Sequence, residues 1–473
     1  MKTHKIRFGF ACNSSSVSSL ILVDPGLKYD SCEKWIEVKD KREFFARVMF
    51  WQIRDGKDEE NTIFVNRVCG TELNTEQLNE YVGSYLMSDR GPGDTFSFPT
   101  DRKGNIHEEF VREFLDYVDK KDLSWLSYDD NYKEDAYDLI SMHASMGVSL
   151  LQYFPHGVAR KDENYWTIFS QKTGNKIRLS FDYSQVAPEK STIPELIDIK
   201  LTNYCPYECE FCYQGSDKKG NHADKEAFKS IIDQLYKYDV FEIALGGGEP
   251  TLHPDFNELI DYINEKNIVV NITTRNWNWI KSYIDSCLEG MADNYTFYPK
   301  IKSVAISTET PDMINKVYEY TLLGMEQKLK GKMVNYERLN ECIQFQYIVG
   351  INDKLEEMLE TCFQKKYRLT LLGYKTTNRG SLLKPKAQEW RSIVKKYLWM
   401  RSYIGIDTVL AKDCEGLLDT SLEKLLLEKH EGRFSCYIDA VNYKIGPSSF
   451  CATEDMMPFT DLKENFKIIT DKS

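Results

Sequence analysis

No stretch of the 473 residues approaches the run of about 18 apolar residues that a membrane-crossing helix needs. The N-terminus carries Lys2, Lys5 and Arg7, but the apolar segment Phe8–Ala11 stops at Asn13-Ser14-Ser15-Ser16, too soon for a secretory signal. The same shortness argues against Cys12 as a lipid-bearing cysteine. The chain therefore reads as cytoplasmic. Basic charge is also lacking. Lys and Arg total 61 against 73 Asp and Glu, a net charge of −12, which disfavours a general nucleic-acid binder although a local basic patch is compatible with it. Cysteine is sparse, with 12 residues, far below the density of a disulfide-stapled scaffold. The seven histidines are scattered, and no Ser-His arrangement or acid–base dyad stands out. There is no internal repeat; the nearest low-complexity tract, Ser14–Ser19, reads as a polar loop before a strand Leu20–Val23.

What is present is ordinary globular composition, 42% hydrophobic and 13% aromatic, which excludes disorder. The length suggests about three domains. Residues 1–185 read as an α+β domain of unknown role. Ile63–Val68 and Tyr165–Ser170 are strand-like, Lys172–Asn175 is a hairpin turn into Lys176–Phe181, and Glu108–Val118 has helical apolar spacing. Arg90–Asp94 reads as a loop. Trp35, Trp51, Trp125 and Trp166 could be core anchors or ligand contacts. Residues 186–196, with two prolines, are a linker.

From 197 to 400 the texture changes. Strands are predicted at Ile197–Leu201, Phe241–Leu245, Ile268–Thr273, Ser303–Ser307, Ile343–Val349 and Arg368–Tyr374. Helices alternate with them, at Asp224–Tyr238, Pro254–Lys266, Trp277–Leu288, Lys354–Lys366 and Pro385–Met400 among others. Right-handed crossovers would curl such a series into a partial (βα)6 barrel, an α/β fold with its site at the strand C-termini. Residues 401–473 are a short extension with strands near Gly405–Leu410 and Arg433–Asp439.

The chemistry concentrates directly after the first strand of this series. Cys205, Cys209 and Cys212 are spaced C-x3-C-x2-C, with Phe211 before the third. Three thiolates on one loop suit an iron–sulfur cube, leaving one iron without a protein ligand. The alternative is a zinc site with His222 as fourth ligand, but a structural zinc loop has no reason to sit where active sites of βα arrays sit.

This segment resembles the radical S-adenosylmethionine (radical SAM) superfamily, whose hallmark is C-x3-C-x-aromatic-C, and the likeness extends from Ile197 to near Met400. The resemblance implies that Cys205, Cys209 and Cys212 bind a [4Fe–4S] cluster. It implies that S-adenosylmethionine (SAM) chelates the fourth iron, and that one electron cleaves it to a 5′-deoxyadenosyl radical that takes hydrogen from a substrate. Gly246-Gly247-Gly248-Glu249-Pro250 ends the second strand and looks like the family's GGEP motif, whose backbone meets the SAM amino group; a tight βα turn is the plain alternative. The third strand ends in Thr273-Thr274-Arg275-Asn276, resembling a family Thr-Asn pair, with Arg275 available to the SAM carboxylate or to a substrate anion; a solvated arginine is the alternative. Ser307 and Glu309 match positions that contact SAM ribose and carboxylate, with a helix N-cap at Thr308 or Thr310 as the competing explanation. Gln344 and Gln346 suggest a polar lumen, and Gln346 joins the cofactor-binding set. Phe211 and Tyr213 would shield the cluster or pack on the barrel.

The resemblance also implies a one-electron donor such as flavodoxin or ferredoxin. Cys414, Cys436 and Cys451 are the candidate ligands of a second cluster, although isolated cysteines are more often buried small residues. His253 reads as a loop residue. For the substrate, a peptide or protein fits the acidic chain and the large N-terminal domain. A nucleotide or RNA modifier would want more basic residues than Lys218, Lys219 and Lys375. A non-catalytic protein with a cluster or zinc as a staple is the alternative from a different class.

Overall fold

A computed structural model describes residues 2–12, 18–19, 41–53, 57–79, 98–120, 157–182, 184–293, 299–329, 336–385, 389–398, 403–418 and 420–473. The expected strand at Leu20–Val23, the loop Arg90–Asp94, Trp35 and Trp125 lie outside them, as does the side chain of Trp51. The chain divides into two compact units, Met1–Ile6 with Leu22–Pro188, and Arg7–Ile21 with Glu189–Ser473.

The chain begins with strand β1 (Lys2–Arg7), followed by the two-residue strand β2 (Ser18–Ser19), which belongs to the second unit. In the first unit, β3 (Gly157–Asp162), β4 (Tyr165–Ser170) and β5 (Lys176–Ser180) form a sheet in the order β1-β5-β4-β3. The hairpin between β4 and β5 turns at Gly174, whose φ of 73° is the left-handed conformation that favours glycine. Helices Lys41–Gln52, Asp58–Cys69 and Glu108–Asp119 accompany the sheet. Phe45, Phe98, Phe110, Phe114 and Trp166 are its buried aromatic core, with Phe45 and Phe114 edge-to-face at 5.0 Å. The strand expected at Ile63–Val68 is helical. Thr62, Val65, Val68 and Cys69 are the buried positions, a spacing of three and four that overrides β-branched propensity.

The second unit is built on an eleven-stranded sheet. Its strands are β6 (Leu196–Thr202), β7 (Glu242–Gly247), β8 (Val269–Thr274), β9 (Ile301–Ser307), β10 (Ile343–Ile348) and β11 (Arg368–Leu372), then β12 (Ile404–Ile406), β13 (Ser435–Asp439), β14 (Lys444–Gly446) and β15 (Met457–Pro458). The order is β15-β14-β13-β6-β7-β8-β9-β10-β11-β12-β2. Every pair from β13 through β12 is parallel. The six expected βα units are therefore extended by one parallel strand at each side. Residues 401–473 do not stand apart as an extension, and residues 7–21 do not stay with the N-terminal unit. The helix expected over Pro385–Met400 is limited to Trp390–Lys396 among the described residues, and Gly405–Leu410 divides into β12 and a short helix Thr408–Ala411 capped by Asp407.

Alternation along the strands separates two environments. Ile197, Ile199 and Leu201, Ile243 and Leu245, Val270 and Ile272, and Phe345 and Tyr347 face the helices and form one apolar core. Each of the aliphatic side chains, and Phe345, contributes roughly 1.5–3 kcal/mol by leaving water. Between them fall Asp198 and Lys200, Glu242, Asn271, Ser303, Gln344, Gln346 and Thr370, all buried and polar, lining the concave inner face.

Residues Arg7–Cys12 fill the lower part of that lumen. Arg7 is ion-paired with the fully buried Glu242. Asn271 Nδ2 donates to Ala11 O at 2.9 Å, Arg368 Nη2 to Phe8 O at 2.9 Å, and Thr273 Oγ1 to Cys12 O. Gln344 Nε2 contacts Cys12 Sγ at 2.8 Å, and Gln344 Oε1 accepts from Thr370. Burial pushes the Cys12 thiol up to about 12, so it is a neutral packing group. Glu242→Ala should cost about 3–5 kcal/mol in denaturant unfolding, because it strands a buried guanidinium. A cost below about 1 kcal/mol would mean the pair behaves like a surface ion pair.

Candidate active site at the strand C-termini

The chain leaves β6 at Thr202, makes an excursion of some twenty residues and returns to helix Lys225–Lys237, capped by Asp224 Oδ1 on Ala227 N. The excursion is closed on itself. Asn203 N donates to Asn221 O, Cys205 N to Asp217 O at 2.8 Å, and Ala223 N to Leu201 O. Inside it lie Cys205, Cys209 and Cys212, all half-buried, with tight turns from Cys212 N to Cys209 O and Gly215 N to Cys212 O. Glu208 precedes Cys209 with φ of 49°. Burial raises the Cys205 thiol above its ordinary value.

The glycine strip ending β7 packs directly on this loop. Gly248 N donates to Thr202 O at 2.7 Å and Glu249 N to Tyr204 O at 2.9 Å. A Cβ on Gly248 would lie 2.1 Å from Tyr204 O, and one on Gly247, at φ 105°, 2.5 Å from Thr202 O. The close approach that only glycine permits is thus first to the cysteine loop's own backbone. Glu249 lies beneath, 1% exposed. Its Oε1 accepts from Thr251 Oγ1 and Thr274 Oγ1, both at 2.7 Å, and its Oε2 from Arg275 N at 2.9 Å. Burial pushes this carboxyl up against the pull of those bonds. The side chains of Glu249 and Thr274, expected at the cofactor, tie the ends of β7 and β8 together, and Pro250 opens the short turn that Glu249 caps.

Arg275 and Glu309 meet as an ion pair across the ends of β8 and β9, and Arg275 Nη1 reaches Cys209 Sγ at 2.7 Å. Phe211 lies 5.9 Å from the guanidinium. Ser307 pairs in register with Gln346 at the β9–β10 boundary. Gln346 is 2% exposed, and among the described residues neither its amide nitrogen nor its oxygen has a hydrogen-bond partner. Gln344, two residues earlier on the same strand, is occupied by Cys12, Ser303 and Thr370. Thr308 Oγ1 accepts from Thr310 N, a local turn before the helix that starts at Asp312.

Sequence reasoning missed a clamp on the cysteine loop. After β11, Arg379 Nε donates to Cys209 O at 3.1 Å and Nη2 to Ser216 O at 2.6 Å. Thr377 Oγ1 and Asn378 Nδ2 both donate to Tyr213 O, at 3.1 and 2.7 Å. A Cβ on Gly380 would fall 2.3 Å from Lys375 O. On the other side Ser449 contacts the Tyr213 hydroxyl at 3.2 Å and Tyr437 the Gln214 amide at 3.3 Å. Lys375 Nζ lies over the rings of Tyr213 and Phe450, at 4.5 and 4.8 Å. The only local signal in the sequence was the polar turn Thr376–Gly380 after a barrel strand.

His222 is bound to Thr202 Oγ1 through Nδ1 at 2.9 Å, and His253 Nε2 to Ala223 O, so both serve the loop's framework and neither reaches a cysteine in these contacts. Cys414 and Cys436 are buried in the apolar core, and Cys451 is half-buried beside Gly446. Among the described residues no three metal-ligating side chains are preassembled, either at these three cysteines or at Cys205, Cys209 and Cys212.

Residues 199–321 match the family model described as the Radical SAM superfamily, which supports membership of that superfamily. The matched span holds the three cysteines, the glycine strip, Arg275 and Glu309. The mycofactocin maturase MftC of Mycobacterium tuberculosis is 37% identical over 83 residues, 17% of this chain and 21% of that protein. A PqqA peptide cyclase of Ruegeria pomeroyi is 24% identical over 217 residues, 43% and 54% of the two chains. The solved structure of Streptococcus suis SuiB bound to precursor peptide SuiA aligns over 77% of this chain and 80% of that one, at 17% identity and a TM-score of 0.45. The chain spans about a fifth of the length of the mycofactocin maturases it matches.

Arg379→Ala removes two charge-assisted bonds to the loop, each worth about 1.5–3 kcal/mol. Hydrogen exchange at the amides of residues 209–216 should rise well above wild type while the β7 and β8 amides keep their protection. Unchanged protection in the loop would show that the clamp does not hold it.

Proposed function

We propose that this chain is a radical SAM enzyme that holds one [4Fe–4S] cluster on Cys205, Cys209 and Cys212, binds SAM along the ends of β7 to β10, and modifies a peptide or protein. The observation that carries the reading is the cysteine loop bonded onto the glycine strip at the C-terminal mouth of a parallel sheet. The donor set suits the group: three thiols on one loop, with the nearby histidines committed to framework bonds, leave the fourth coordination place for a ligand from outside the chain. When bound, such a cluster supplies the one-electron cleavage of SAM to a 5′-deoxyadenosyl radical that abstracts hydrogen from substrate.

The chain's own groups then have separable tasks. Gly246 and Gly247 present backbone to the SAM methionine moiety, since the amides of Gly248 and Glu249 are spent on the loop. Ser307 and the Gln346 amide offer the polar contacts of the layer above Gln344. Phe211 and Tyr213 limit water around the cysteines. Lys375, over the Tyr213 ring, and Tyr437, bonded to Gln214, hold the loop on its β13 side. A peptide substrate is supported by the relatives, named as a maturase and a peptide cyclase, and by the acidic balance of the chain. A flavodoxin or ferredoxin is the electron donor this chemistry calls for.

Anaerobic reconstitution with iron and sulfide should give about four irons per chain, and reduction should then release 5′-deoxyadenosine from SAM. Cys209→Ala should abolish both. A fully loaded protein that leaves SAM intact would sink the reading. Tight RNA binding with a steep salt dependence would count against the peptide class.

A further inference from the structure

Arg275 is held from several directions. Its backbone N donates to the buried Glu249, which gives the side chain a fixed origin. Nη1 donates to Cys209 Sγ at 2.7 Å, and Nη2 pairs with the Glu309 carboxylate. The Phe211 ring lies 5.9 Å from the guanidinium carbon. A guanidinium stays charged and presents its donors in a rigid fork, so one arm fixed by Glu309 fixes the other on the sulfur.

We propose that Arg275 is a positioning residue that sets the reduction potential of the iron–sulfur site through its N–H···S contact with Cys209, and that Glu309 opposes it. The inference rests on the function proposed above. A donor and a positive charge at a ligating sulfur stabilise the reduced cluster, which carries one more electron, over the oxidised one, and so raise the potential. The Glu309 carboxylate, in contact with the same guanidinium, subtracts from that charge. Two touching residues therefore act with opposite sign, which a merely structural pair would not do.

The test uses the full-length protein, reconstituted without SAM, as wild type, Arg275→Gln, Arg275→Lys and Glu309→Gln. Iron is counted and the midpoint potential is read by EPR-monitored titration. Arg275→Gln should move the midpoint to more negative values, Glu309→Gln to more positive ones, and Arg275→Lys should fall between Arg275→Gln and wild type. Wild-type midpoints in both the Gln variants, or shifts of the same sign, would overturn the proposal. If Arg275→Gln does not retain iron, Glu309→Gln decides alone: a positive shift supports the proposal, and none or a negative one overturns it. A wild-type chain that binds no iron would refute the functional reading, and this inference with it.

Discussion

The structure of the site depends on one contact, the strip Gly247-Gly248 laid against the backbone of Thr202 and Tyr204. The amides of Gly248 and of Glu249 next to it bond the carbonyls of Thr202 and Tyr204, and no side chain fits on either glycine. The contact ties the start of the loop to the end of β7. Glu249 then carries the constraint sideways, binding Thr274 and the Arg275 amide, so that β8 ends in register with the loop. A carboxylate with this many donors costs desolvation but gains hydrogen bonds that hold three chain segments together.

The lumen beneath is the second constraint. A parallel sheet is buried on both faces, and its inner face here is polar. Asp198, Lys200, Glu242, Asn271 and Gln344 would each be costly without partners. The segment Arg7–Cys12 supplies many of them, with Arg7 on Glu242 and the carbonyls of Phe8, Ala11 and Cys12 on Arg368, Asn271 and Thr273. It occupies the polar groups below the level of Gln346. Strands β13 and β12 widen the sheet at both edges. The segments that follow β11 and β14, through Arg379 and Ser449, hold the cysteine loop from two sides.

Much of this was legible in local sequence. Each of the six strands between Leu196 and Leu372 is a short β-branched run flanked by turn residues, and the structure places each within a residue or two of its expected bounds. The cysteine spacing and the GGGEP run stood out because both are local in the chain, and the structure packs the two together. Ile63–Val68 was misread because a run of branched residues satisfies strand propensity and helical spacing alike, and only burial on one side decides between them.

By itself, then, the sequence determined the alternating βα order, the loop that bears three thiols and the glycines that follow the next strand, since these depend on spacing and on intrinsic backbone preference. Only the tertiary structure decided which partners those residues take. Arg275 could as well have been solvated as bound to Cys209 and Glu309, and nothing near Arg7 in the chain signals Glu242, which lies 235 residues away. Such pairings are set by burial. Once the sheet removes water from a polar group, the group must find whatever donor or acceptor the fold brings within reach, at any distance along the chain.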